Sequence, residues 1–150
     1  MRGNDAGPKL YSLAVEEALV TSLLLHDDFS SLAEFTDDEI WFDHLRPIIA
    51  CVRFLHDAGK PSGTVFALAV LASKGELDAI EYKGESGEVV VIDLLQRHIL
   101  DVQAFYGRQL GRLVHHYAEK RKALQRAQEA AQKAATQAYL AELNKYEGEL

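Results

Sequence analysis

Cysteine is all but missing from this chain. Cys51 stands alone among 150 residues, which excludes an intrachain disulfide and any multi-cysteine zinc site. Long apolar runs are missing too. Nothing approaches the roughly 18 consecutive apolar residues of a membrane span. The segment Met1–Leu10 is polar, so no signal peptide is expected and a cytoplasmic location is the default. A net positive charge is lacking as well: 16 Lys and Arg face 23 Asp and Glu, for a formal charge of −7. A chain whose whole surface wraps nucleic acid needs a basic face, and this composition does not supply one.

The motifs of common catalysis are equally absent. There is no GxxxxGK[ST]; Gly59-Lys60 runs into Pro61 and has Phe54 where the first glycine should stand. No GxGxxG, HExxH, GxSxG or EF-hand loop occurs. His115 and His116 are adjacent and point about 100° apart on a helix, so they cannot grip one ion together. His115 and Glu119 share a face, but two ligands do not make a site. Cys51 lies on the apolar face of its helix and reads as a buried, inert thiol. No catalytic residue and no metal ligand is therefore expected.

What is present is a soluble-type composition, 48% apolar and 26% charged, at a length suited to one domain with an appendage. Residues 1–11, with Gly3, Gly7 and Pro8, read as a loose arm. Ser12 reads as the N-cap of an amphipathic helix over 13–25, with Glu16 and Glu17 near the positive end of its dipole. Its face is Val15, Leu19 and Leu23, widened by Val20 and Leu24. A short turn is expected around Ser31–Phe35. Thr36 and Glu39 have the form of a capping box for a turn running through Ile40-Trp41-Phe42. The next helix starts within 43–46, because Pro47 suits a first turn, and Gly59 with Pro61 stops it. Thr64 reads as a cap for a helix with Val65, Leu68, Leu71 and Ala72 on its apolar face, ended by Gly75. Residues 82–88 read as a loop. Val89-Val90-Val91-Ile92 favours a strand locally, yet Val91, Leu95 and Ile99 recur at spacing four and no partner strand is visible, so a helix is expected.

The last third is the most regular part. Steps of four and three from Tyr106 give Leu110, Leu113, Tyr117, Lys120, Leu124, Ala127, Ala131, Ala134, Ala138 and Ala141. Ten of these eleven positions are apolar, which is a heptad seam. A helix over 106–141 is roughly 54 Å long at 1.5 Å per residue, longer than a head of 12–103 is wide. Most of it is therefore expected to pack on another helix, from a returning arm or another subunit. Gly107 and Gly111 either permit a close neighbour there or are simply two weak points. Self-association is assigned to Tyr106, Leu110, Leu113, Val114, Tyr117 and Leu124. The charge also divides: residues 1–100 carry −9, whereas residues 101–150 carry +2. Arg108, Arg112, Lys120, Arg121 and Arg126 are accordingly candidates for partner or nucleic-acid contact, or else the solvated face of a coiled helix.

Several of these segments, taken in order, resemble the N-terminal domain of DnaB-type replicative DNA helicases. Ser22-Leu23-Leu24-Leu25-His26-Asp27 is similar to the acidic, Leu-rich end of that family's first helix. Trp41-Phe42, His44, Arg46, Ile48-Ile49 and Leu55-His56-Asp57-Ala58-Gly59-Lys60-Pro61 resemble its second signature. Tyr106, Lys120-Arg121 and Leu124 resemble its third. The likeness covers about residues 12–130. Leu45 is inserted, Ser62 replaces an acidic residue, and the Gly84–Val89 loop is degenerate, which marks a divergent member.

The resemblance implies an all-α fold: a small orthogonal helical bundle over 12–103, followed by a long C-terminal helix or helical hairpin arm over 104–150. It implies pairing into dimers that build a collar, and docking of a DnaG-type primase or a helicase loader. It implies no ATPase activity here, ATP and Mg belonging to a motor domain absent from these residues. A stand-alone helicase-binding adaptor (a loader, or one like a primase C-terminal domain) and a nucleic-acid-binding helical protein are the alternatives, the latter with DNA on the basic arm.

Overall fold

Helix caps and left-handed stops set the boundaries of nearly every element in the structure, a computed structural model describing residues 9–61, 63–100, 102 and 107–149. Helix α1 spans Leu13–His26; the Ser12 hydroxyl accepts from Val15 N at 3.3 Å, and Asp27 ends the helix at φ 50°. Three 3₁₀ turns follow, Phe29–Ala33, Asp37–Glu39 and Asp43–Leu45. The capping box forms, with Thr36 N donating to Glu39 Oε1 at 2.9 Å. Its turn closes at Glu39 rather than running through Phe42, because Ile40 is extended.

Helix α2 spans Arg46–Asp57 with Pro47 in its first turn, and Gly59 ends it at φ 69°. Helix α3 spans Thr64–Ser73, and Gly75 follows at φ 71°. Thr64 is not the cap expected of it. Gly63 holds the cap position, and the Thr64 hydroxyl instead donates to Leu24 O at 3.3 Å, tying α3 to the end of α1. The apolar face of α3 also differs from expectation: Ala67 and Leu71 are buried, whereas Val65 is 80% exposed. In a helix this uniformly apolar, the spacing of apolar residues does not mark the inner face.

The expected loop contains a small antiparallel hairpin, β1 Glu81–Tyr82 against β2 Glu85–Ser86. Its two turn residues, Lys83 and Gly84, both have positive φ, 51° and 82°, the geometry whose twist matches a two-residue hairpin. Helix α4 spans Glu88–His98, so the four β-branched residues are helical as expected. Val90, Val91, Leu94 and Leu95 turn inward at helical spacing, and the burial of that face outweighs local β preference.

The helical fold class expected from the sequence is the one observed, with a long C-terminal helix, α5, over Gly107–Glu149. No hairpin return occurs within those residues. The chain divides into two units, Met1–Ala118 and Glu119–Leu150. The compact first unit thus runs on past 103 and takes in about three turns of α5. Its core joins Leu19, Leu23, Ile40, Leu45, Ile48, Ile49, Leu55, Leu71, Ile80 and Leu94, all fully buried. In the second unit every described side chain is exposed except Arg121, which is half-buried. That unit is a helix without a core of its own.

Candidate assembly interface

Two buried glutamates organise the first unit before α5 is reached. Glu16 accepts from Trp41 N at 3.0 Å and from Phe42 N at 3.1 Å, so it satisfies a stretch of extended backbone with no strand beside it. Glu17, with a side chain 4% exposed, holds Arg97 at 2.5 Å and His98 at 2.9 Å, clamping α4 to α1. The sequence places both residues at a helix dipole. Their burial was not legible there, because charged residues in a first turn are ordinarily solvated. His44 is buried against Tyr82, ring centroids 4.1 Å apart, and its Nε2 has no hydrogen-bond partner among the described residues. A cleft of about 240 Å³ near the hairpin takes Arg97 and Asp93 into its wall, and these are already paired with Glu17 and with each other.

The start of α5 is fixed onto the segment 28–39 by acidic groups. Asp28 accepts from Gly107 N at 2.9 Å, capping a helix end that lacks internal partners. Glu34 receives Arg108 Nε at 2.7 Å and lies 3.4 Å from Arg112 Nε. The hydrogen bond from Arg108, chiefly, holds the Glu34 carboxyl below its ordinary value. His115 Nδ1 lies 2.8 Å from Glu39 Oε2, the same carboxylate group that closes the capping box. Gly111 rests against this segment so closely that a Cβ there would stand 2.8 Å from Ser31 O. The close-neighbour reading of Gly107 and Gly111 is therefore the one observed, and the neighbour is the chain itself.

This arrangement separates the residues that were grouped together for self-association. Val114, assigned to self-association, is 1% exposed and belongs to the core of the first unit, with Leu110 packed against it. The reason is the one that brings Gly111 so near Ser31: this side of the helix is already covered. Leu113, by contrast, is 41% exposed, and Tyr117 is half-buried. In the second unit Leu124 is 37% exposed. Tyr106 lies outside the described residues. Among the basic candidates, Arg108 and Arg112 share Glu34, while Lys120 and Arg126 are exposed and Arg121 half-buried. The contacts of Asp28, Glu34 and Glu39 with α5 were missed by sequence reading, which had Glu39 only in its capping box. The signal was present as an acidic run over 27–39 matched by Arg108, Arg112 and His115 some 75 residues later.

The sequence matches no family model and no curated protein. Its fold does match a solved structure, the crystal structure of the N-terminal domain of DnaB helicase from Mycobacterium tuberculosis. The TM-score is 0.71 at 18% identity, over 83% of this chain and 86% of that one. The fold is that of a DnaB helicase N-terminal domain. At this identity the likeness carries the architecture, a helical head leading into a long C-terminal helix. Among the described residues no helix is long and apolar enough to cross a membrane.

Proposed function

We propose that this chain is an assembly domain of the kind found at the N-terminus of replicative helicases, acting by self-association and by docking a primase or loader. The observation that carries the reading is the second unit: a helix over Glu119–Glu149 whose apolar residues have no cover within that unit. Leu124, Tyr139 and Tyr146 are exposed along it, and Leu113 is exposed further back on α5. Large apolar side chains at such spacing on an otherwise solvated helix are the surface a partner helix covers. The fold shared with a helicase N-terminal domain supports the same reading. No catalytic step, nucleotide or metal is assigned to this chain; in this reading ATP hydrolysis belongs to a motor domain.

Sedimentation velocity at high micromolar concentration tests the proposal. A dimer or larger species is expected, weakened by Leu113→Asp and by Leu124→Asp. A monomer with the same sedimentation in all three proteins overturns it. A second reading, nucleic-acid contact, draws on Lys120, Arg121, Lys122 and Arg126, four cations within seven residues. It requires binding to DNA that falls steeply with salt, and a flat anisotropy titration at low salt removes it.

A further inference from the structure

The root of α5, its turns from Gly107 to Ala118, enters the first unit with little apolar surface. Its buried positions are Gly107, Gly111, Val114 and Ala118, of which two have no side chain and one has a single methyl. Among the described residues, Val114 is the one member of the buried core cluster that α5 supplies, with Leu110 partly buried against that cluster. Every other member lies between Leu19 and Leu95. The rest of the attachment is polar. Asp28 at Gly107 N, Glu34 at Arg108 and Arg112, and Glu39 at His115 each set a carboxylate of the 28–39 segment against a donor on the root. The donors face water: the side chains of Arg108, Arg112 and His115 are 56%, 58% and 50% exposed.

From this division we infer that the root is held by an electrostatic latch: rising ionic strength releases residues 107–118 from the 28–39 segment while α1 to α4 stay folded. Water-facing ion pairs are individually weak and fade with salt. The attraction of Asp28 for the helix N-terminus is screened in the same way. All three carboxylates stand on one short segment, so screening weakens them together. Burial of apolar surface is not screened, and the core between Leu19 and Leu95 keeps its stability. A stretch with few buried apolar contacts and solvated polar ones opens locally before its domain unfolds. Arg53 of α2 binds Asp37 and the carbonyls of Leu32 and Phe35, so the 28–39 segment remains with the head when the root departs. The latch stands whether or not the arm self-associates.

Native-state amide hydrogen exchange on the full chain tests the latch. The comparison runs from about 0.01 M to about 1 M sodium chloride, across which the screening length falls from roughly 30 Å to roughly 3 Å. Protection of residues 108–118, taken relative to α1, should fall at least about tenfold. The triple change Asp28→Asn, Glu34→Gln and Glu39→Gln leaves an acceptor at each place, and Gln still suits the capping box, but it removes the three charges. At low salt that protein should show the fast exchange that the unaltered chain reaches only at high salt, with no further response to salt. Equal loss of protection in the root and in α1 means that the unit opens as a whole, and it overturns the latch. Exchange in the root that ignores salt does so too, as does a triple variant that keeps the full salt response. Repeating the series at about tenfold lower protein concentration separates the latch from self-association. A local latch gives the same salt response after dilution. A response that changes with dilution overturns the latch and leaves the assembly reading intact.

Discussion

Replacing Gly111 by alanine sets two effects of known size against one another. In an open helix the change stabilises by about 1 kcal/mol, since alanine surrenders less backbone freedom than glycine. At this position, however, the new Cβ meets Ser31 O at 2.8 Å, Glu34 Cβ at 3.1 Å and Phe35 Cδ1 at 3.4 Å. The nearest of these is a backbone carbonyl within a 3₁₀ turn, which cannot swing aside as a side-chain tip can. Overpacking of this kind costs about 1–3 kcal/mol. The expected balance is a net loss of about 1 kcal/mol, or a fall of roughly 3–6 °C in Tm for a domain near 110 residues. The loss is local, so amide hydrogen exchange over residues 107–118 should quicken more than exchange in α1. Gly148→Ala is the control, because nothing lies within 4 Å of its added Cβ. Calorimetry showing Gly111→Ala at or above the wild-type Tm would refute the close packing of α5 on the 28–39 segment.

Three other outcomes follow from polar groups in the first unit. Glu16→Ala strips Trp41 N and Phe42 N of their acceptor and should cost about 1–3 kcal/mol in urea unfolding, without change in the m-value. An unchanged midpoint would mean those amides have another acceptor. Burial, chiefly, holds the His44 imidazole below its ordinary value of 6.5. Above 6.5 both folded and unfolded forms are neutral there; below it the unfolded chain takes up a proton that the folded chain refuses, so stability falls with pH through this window. Glu34 adds a lower window: its contribution stands above 4.5 and fades as pH falls through its depressed value. Urea titrations from pH 7.5 to 3 should show both declines, and His44→Phe should remove the upper one. The Cys51 thiol is pushed above 9.0 by burial, so a thiol reagent at pH 8 should react with it only at the rate of unfolding. Immediate reaction of the native protein would contradict that placement.

The parts of this fold legible in the sequence are those fixed by local chemistry. Ser12, the Thr36–Glu39 box, Pro47, Gly59 and Gly75 each act on backbone within a few residues of themselves, so each boundary could be read from a short stretch. The helical state of 89–92 was also legible, because the periodic burial of Val91 and Leu95 extends beyond the β-branched run. The face of α3 was not, since nearly all of its residues are apolar and burial depends on which neighbours arrive. The same limit governed the candidate interface. A heptad seam states that a face is covered but not by what, and Leu110 turned out to be packed against the core of its own unit while Leu124 was left exposed. The roles of Glu16 and Glu17 depend on partners 25 and 80 residues away, beyond the reach of any local pattern.

The continuity of α5 has a kinetic side. Starting a helix is its costly step, with a nucleation constant on the order of 10⁻³, whereas each added residue is close to neutral. Here the Asp28 cap on Gly107 and the burial of Val114 and Ala118 fix the opening turns as the first unit folds. The residues beyond Ala118 then inherit a ready-made end and need only propagate from it. The head thus templates its own appendage, and a peptide cut free at that point should lose much of its helix even though none of its own residues has changed.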